Sequence, residues 1–205
     1  MSAISRVGRL VLPRTALLVC DLQEKFRPAI AHFDAIVNVS SRLIQAARIL
    51  QMQTIVTEMN PKGLGPTVQE LGDLSGIPVF PKMTFSMVVE GVEKALELGI
   101  KIDSVLLCGI ETHVCVQQTA LDLRQRGIDV YCVADAVSSR NMVDRIMAFE
   151  RMRQSGVYVT TSEAAILSLL SGADHPLFRA VQKLIIPPAP DSGLLSLDDG
   201  REKKQ

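Results

Sequence analysis

The 205-residue chain is 47% hydrophobic, enough to bury one substantial core and short for two, so a single domain is expected. Lys plus Arg and Asp plus Glu number 22 each. With no net field and no basic run interleaved with aromatics, nucleic acid is not an expected partner, and small neutral molecules fit better. Apolar runs such as Val105–Ile110 have strand length and fall far short of the roughly 20 residues of a membrane helix, so no membrane association is expected.

Arg6, Arg9 and Arg14 precede the first acid, Asp21. That is the bias of a mitochondrial targeting segment, although a frayed basic lead into the first strand explains it more simply. Residues 1–14 are read as a flexible segment, and the expected location is the cytoplasm, with the mitochondrion as the alternative. Short apolar runs then alternate with longer stretches of helical period, the signature of βαβ units in a parallel sheet. Strands are predicted at Ala16–Cys20, Thr54–Thr57, Val79–Phe80, Ser104–Cys108, Asp129–Val133 and Val157–Thr160. Helices are predicted at Ile36–Gln51, Met87–Leu98, Val114–Arg126, Val143–Ser155 and Ser162–Leu170. Gly99, Gly127 and Gly156 are placed to cap three of them. Right-handed crossovers put helices on both faces of a six-stranded, mainly parallel sheet, a three-layer α/β/α domain over residues 15–186. Pro187, Pro188 and Pro190, followed by the charged stretch Arg201–Lys204, read as an extended arm with a disordered tip over residues 187–205.

Ligands of an open parallel sheet bind beyond the carboxyl ends of the strands, which singles out Asp21, Lys82 and Cys115. The turn after the first strand lacks the glycines of a dinucleotide site, and Lys62–Thr67 lacks a GK[ST] ending, so that loop is read as a flexible rim. Thr112 is a good N-cap, which would set Cys115 in the first turn of a helix, where unpaired N–H groups favour a thiolate. Local sequence alone equally allows a small buried hydrophobe. Asp21 could accept the thiol proton and Lys82 could keep that carboxylate ionised. Cys20, Cys108 and Cys132 complete four cysteines without a CxxC pair, which suggests a reducing compartment.

Three ordered motifs resemble the isochorismatase-like cysteine hydrolases: Asp21-Leu22-Gln23-Glu24-Lys25-Phe26 the DxQxxF opening, Lys82–Ser86 the KxxFS segment, and Gly109–Cys115 the GIExxxC turn. Leu107–Glu111, Arg151–Gly156 and Pro188–Leu195 look most like the animal isochorismatase domain-containing branch. The resemblance implies a Cys115 nucleophile, an Asp21 base and proton shuttle, and a Lys82 that orients Asp21. It also implies a cis peptide at Ile110–Glu111 and an oxyanion hole from the N–H groups of Glu111 and Cys115, which suits a small amide or related carbonyl substrate passing through a thioester. Phe26, Phe85 and Met87 would line the pocket, and Thr84, Ser86 and Gln117 would hydrogen-bond the substrate, though at helical spacing some of these are core.

Nicotinamidases of the family bind a metal through histidines after the second strand, but Thr57–Pro61 contains none, and His32, His113 and His175 are scattered. No metal or cofactor is therefore expected. True isochorismatases use no nucleophilic cysteine, so Cys115 argues against that activity. Family habit and the C-terminal arm suggest a homo-oligomer. The alternative is a protein-binding module with an unused site, which would take a protein partner.

Overall fold

The computed structural model describes residues 7–194, so Arg6 and the charged stretch Arg201–Lys204 lie outside the described residues. Six strands, β1 (Thr15–Cys20), β2 (Gln53–Met59), β3 (Val79–Lys82), β4 (Ser104–Ile110), β5 (Asp129–Ser138) and β6 (Tyr158–Thr160), form one parallel sheet in the order β3-β2-β1-β4-β5-β6. The helices are α1 (Phe33–Ile49), α2 (Pro61–Leu64), α3 (Glu90–Glu97), α4 (Gln117–Gln125), α5 (Met142–Gln154), α6 (Ser162–Leu170) and α7 (Phe178–Ile185).

β1 is wholly buried, because its alternate residues feed two cores. Leu17 and Val19 join α1, α6 and α7 on one face, while Ala16, Leu18 and Cys20 join α3, α4 and α5 on the other. β4 divides the same way, with Leu106, Cys108 and Ile110 on the α1 side and Val105 and Leu107 opposite. This is the expected three-layer α/β/α architecture. Chain connection reverses direction between β1 and β4, the switch point at which parallel sheets hold ligands in a crevice beyond the carboxyl ends of the strands.

Gly99, Gly127 and Gly156 all take the positive φ expected of helix-ending glycines. The helix predicted from Met87 begins only at Glu90, because the preceding N–H groups are taken by side chains: Met87 donates to Thr119 Oγ1 of α4 and Val88 to Ser86 Oγ. The Lys62–Thr67 stretch, read as a flexible rim, is instead tied down. Gln23 Nε2 donates to Gly65 O at 2.7 Å, and both the backbone N–H and the hydroxyl of Thr67 donate to Glu58 Oε1 at 2.7 Å.

Near the chain ends, Leu10 enters the α1-side core and Arg14 pairs with Asp103. Arg42 donates to the carbonyls of Pro187 and Pro188, and the fully buried Arg145 donates to those of Ser192 and Ala134. Among the described residues, no helix is long and apolar enough to cross a membrane.

Candidate active site

Asp21 follows the last residue of β1 and takes φ 51°, a left-handed conformation that Asp tolerates better than most residues. Its side chain is fully buried. Thr57 donates to Oδ1 at 2.8 Å, the Lys82 ammonium lies 2.6 Å from Oδ2, and the Cys20 thiol donates to Oδ2 at 3.5 Å. A carboxylate so enclosed has its lone pairs directed rather than free to solvent.

Lys82 ends β3, two strands away, and reaches Asp21 from the sheet edge. Its other two N–H bonds go to the carbonyls of Thr84 at 3.1 Å and Phe85 at 2.9 Å. All three donors of the ammonium are thus used, which fixes the nitrogen. Burial alone would lower the Lys82 pKa; the neighbouring Cys20, Asp21 and Cys115 outweigh it and raise the pKa above its ordinary value, so the charge persists through the neutral range.

Cys115 lies beyond β4, on the other side of the crevice. The Ile110–Glu111 peptide is cis, as the resemblance implied. The expectation that Thr112 caps a helix is not met: residues Thr112–Val116 form a π-turn leading into α4, and the buried Thr112 hydroxyl has no hydrogen-bond partner among the described residues. Cys115 is held otherwise, its carbonyl accepting from Thr119 Oγ1 at 2.6 Å. A sulfur from each of Cys20 and Cys115 and a carboxylate oxygen of Asp21 lie within 4.8 Å of one another, all three residues buried. Such a trio is chemically able to take a soft metal ion, but the Lys82 ammonium already supplies the positive charge at Asp21.

The remaining predicted residues scatter around this centre. Glu111 is buried, and its carboxylate accepts from the Arg140 backbone N–H at 3.0 Å and from Nε at 3.2 Å. Thr84 and Phe85 are exposed, and Thr84 Oγ1 donates to the Ser86 carbonyl. The Ser86 hydroxyl is turned to the Val88 N–H, and Gln117 is half-buried at the start of α4. Phe26 packs against the α1-side core, whereas Met87 is buried on the side of Cys20 and Cys115. Four surface cavities of about 440–540 Å³ are lined by residues other than Asp21, Lys82 and Cys115.

Sequence reasoning gave no role to four residues that build the centre. Cys20 counts in the sequence only as one of four cysteines without a CxxC pair. Thr57 was seen only as the end of a strand. Gln23 was part of a motif, yet its amide locks the Asp21 turn to β2 by donating to Met59 O at 3.0 Å and accepting from Met59 N at 2.8 Å. Thr119 bridges the Cys115 carbonyl to the Met87 N–H. The signal for Thr119 was its position four residues after Cys115, where a hydroxyl back-bonds within a helix.

Comparison with known proteins agrees with this architecture. The isochorismatase domain family matches residues 15–164. Isochorismatase domain-containing protein 2 of Xenopus laevis is 52% identical over 200 residues, spanning 98% of this chain and 97% of its own. A structure described as the MAR1 ribonuclease from Caenorhabditis elegans is 51% identical with a TM-score of 0.88, over 93% of this chain and 98% of the other. The YcaC gene product from Escherichia coli, described as an octameric hydrolase of unknown specificity, is 25% identical with a TM-score of 0.80, over 89% and 93%. The chain belongs to the isochorismatase domain family, within the isochorismatase-like hydrolases.

Proposed function

We propose that the protein is a cysteine hydrolase that cleaves a small amide or related carbonyl compound, with Cys115 as nucleophile, Asp21 as general base and acid, and Lys82 as the group that orients Asp21. The observation that carries this reading is the buried convergence of a thiol, a carboxylate and an ammonium across the β1/β4 crevice. In the first half-reaction the Cys115 proton passes to Asp21 as sulfur bonds to the carbonyl carbon. The developing oxyanion is received by the N–H groups of Glu111 and Cys115, each worth roughly 3–4 kcal/mol of barrier. Asp21 returns the proton to the departing amine, leaving a thioester. Water, deprotonated by Asp21, then releases the carboxylic acid and restores the thiol.

Phe85 and Thr84 are exposed beside Lys82, and Gln117 stands two residues beyond Cys115, so we propose these three as substrate contacts. Phe26 and Ser86 would shape the same site from behind. The test is acyl-enzyme trapping with a panel of small amides and activated esters, read by intact mass. A thioester mapped to Cys115 in the wild type and missing from C115A is the expected result. Turnover of a confirmed substrate by C115A at the wild-type rate would sink the assignment.

The name of the Caenorhabditis neighbour raises a second reading, RNA cleavage. Equal numbers of acidic and basic residues offer no excess cation to a polyphosphate, and Lys82 is spent on Asp21, so we propose no nucleic-acid partner. RNA cleavage that disappears in D21N would reverse that choice. We also infer self-association. Val143, Ile146 and Met147 form an exposed apolar stripe on α5, and the octameric YcaC protein has this fold. The arm over residues 187–205 is a further candidate contact. Light scattering at micromolar concentration that returns a monomer would remove this claim.

A further inference from the structure

We infer that Cys20 is a resolving cysteine for Cys115, so that a peroxide converts the pair to a reversible intramolecular disulfide that silences the site. The inference deepens the reading of Cys115 as a reactive thiol and rests on it. Cys20 is the last residue of β1, where Gly109 of β4 is its register partner; Cys115 lies in the turn that β4 enters. The two side chains belong to the same core face, and their sulfurs come within 4.8 Å. A disulfide needs the sulfurs about 2.0 Å apart, so forming it requires the two side chains to rotate and the 112–116 turn to shift.

Cys115 is 6% exposed and Cys20 is 0% exposed, so an oxidant meets Cys115 first. Burial, the hydrogen bond with Cys115 and the charge of Asp21 raise the Cys20 pKa well above that of an ordinary thiol. Cys20 therefore needs a proton acceptor to attack, and Asp21 Oδ2 lies 3.5 Å from its sulfur. Cys108 and Cys132 offer no rival pair, because they face opposite sides of the sheet.

The chemistry balances with hydrogen peroxide as the oxidant. The Cys115 sulfur attacks one peroxide oxygen; the O–O bond breaks, water leaves, and Cys115 becomes a sulfenic acid. The Cys20 thiol gives its proton to Asp21 and its sulfur attacks the sulfenic sulfur. The S–O bond breaks, and the departing hydroxide takes the proton back from Asp21 to leave as a second water. Two thiols are oxidised by two electrons in all, and one peroxide is reduced.

The test treats the full-length protein with hydrogen peroxide and follows intact mass and tryptic peptides. The wild type is expected to lose about 2 Da, to yield the peptide carrying Cys20 joined to the one carrying Cys115, and to recover free thiols in dithiothreitol. C20S and C20A are expected to form no such link. In them Cys115 should gain about 32 Da as an irreversible sulfinic acid. Wild-type Cys115 that goes to sulfinic acid with no peptide linked to Cys20 overturns the inference; this arm needs no variant to fold. If Cys115 alkylates readily with iodoacetamide yet never links to Cys20, only the redox inference falls. If it does neither, the reactive-thiol reading falls with it.

Discussion

The Lys82 ammonium and the Asp21 carboxylate stand 2.6 Å apart with neither side chain exposed to solvent. Removing one partner of a buried pair leaves an uncompensated charge and costs about 3–5 kcal/mol. K82M is therefore expected to destabilise the fold by about that amount, and K82M/D21N by clearly less than the sum of the single changes. Urea titrations of the four proteins give the coupling. Additive losses would mean that the two charges do not interact.

Thr57 supplies the only side-chain hydroxyl on Asp21 Oδ1 among the described residues. T57V should cost roughly 1–3 kcal/mol and leave the carboxylate free to turn. On the proposed reading, kcat falls while KM changes little, since Thr57 is a positioning residue and touches no substrate. A T57V enzyme with wild-type kcat on a confirmed substrate would remove that role.

Gly109 has φ 113°, and a Cβ there would meet the Cys20 carbonyl oxygen at 2.0 Å. Backbone cannot yield as a flexible side chain does, so G109A must displace β1 from β4 at the base of the crevice. The expected result is a lower melting temperature together with slower alkylation of Cys115. A G109A protein with both unchanged would contradict the close approach.

Alkaline pH offers a separate test of the cores. Burial pushes the thiols of Cys108 and Cys132 from the ordinary 9.0 up to about 12. These folded-state pKa values are raised, so the folded chain holds protons that the unfolded chain has lost. The stability concerned is fully present below pH 9 and declines as pH rises toward 12, by roughly 4 kcal/mol per thiol at most. C132A should flatten that decline when denaturant midpoints are compared across the range. An unchanged slope would show that the Cys132 thiol does not carry it.

Much of this was legible in the sequence, for physical reasons. Strands buried on both faces read as continuous apolar runs, and β1 and β4 do so plainly; the helical period predicts Ser162–Leu170, and α6 has those bounds, with Thr161 capping it and Ser171 ending it in a left-handed turn. Asp21, Lys82 and Cys115 could be found because strand ends in a parallel sheet converge. What could not be read were bonds between segments distant in sequence. Gln23 to Gly65 spans 42 residues and Thr57 to Asp21 spans 36, and no local pattern signals either bond. The π-turn at 112–116 also escaped, because a Thr followed by helical spacing reads as an ordinary cap.

The most direct measurement is the rate of iodoacetamide labelling at neutral pH, resolved by cysteine with mass spectrometry, in wild type, D21N and K82A. Burial keeps Cys20, Cys108 and Cys132 un-ionised at neutral pH and out of reach of the reagent. Cys115 is therefore expected to label far ahead of the other three in the wild type, and to lose that lead in both variants. Four equally slow cysteines, or a Cys115 whose rate ignores Asp21 and Lys82, would contradict the proposed active site.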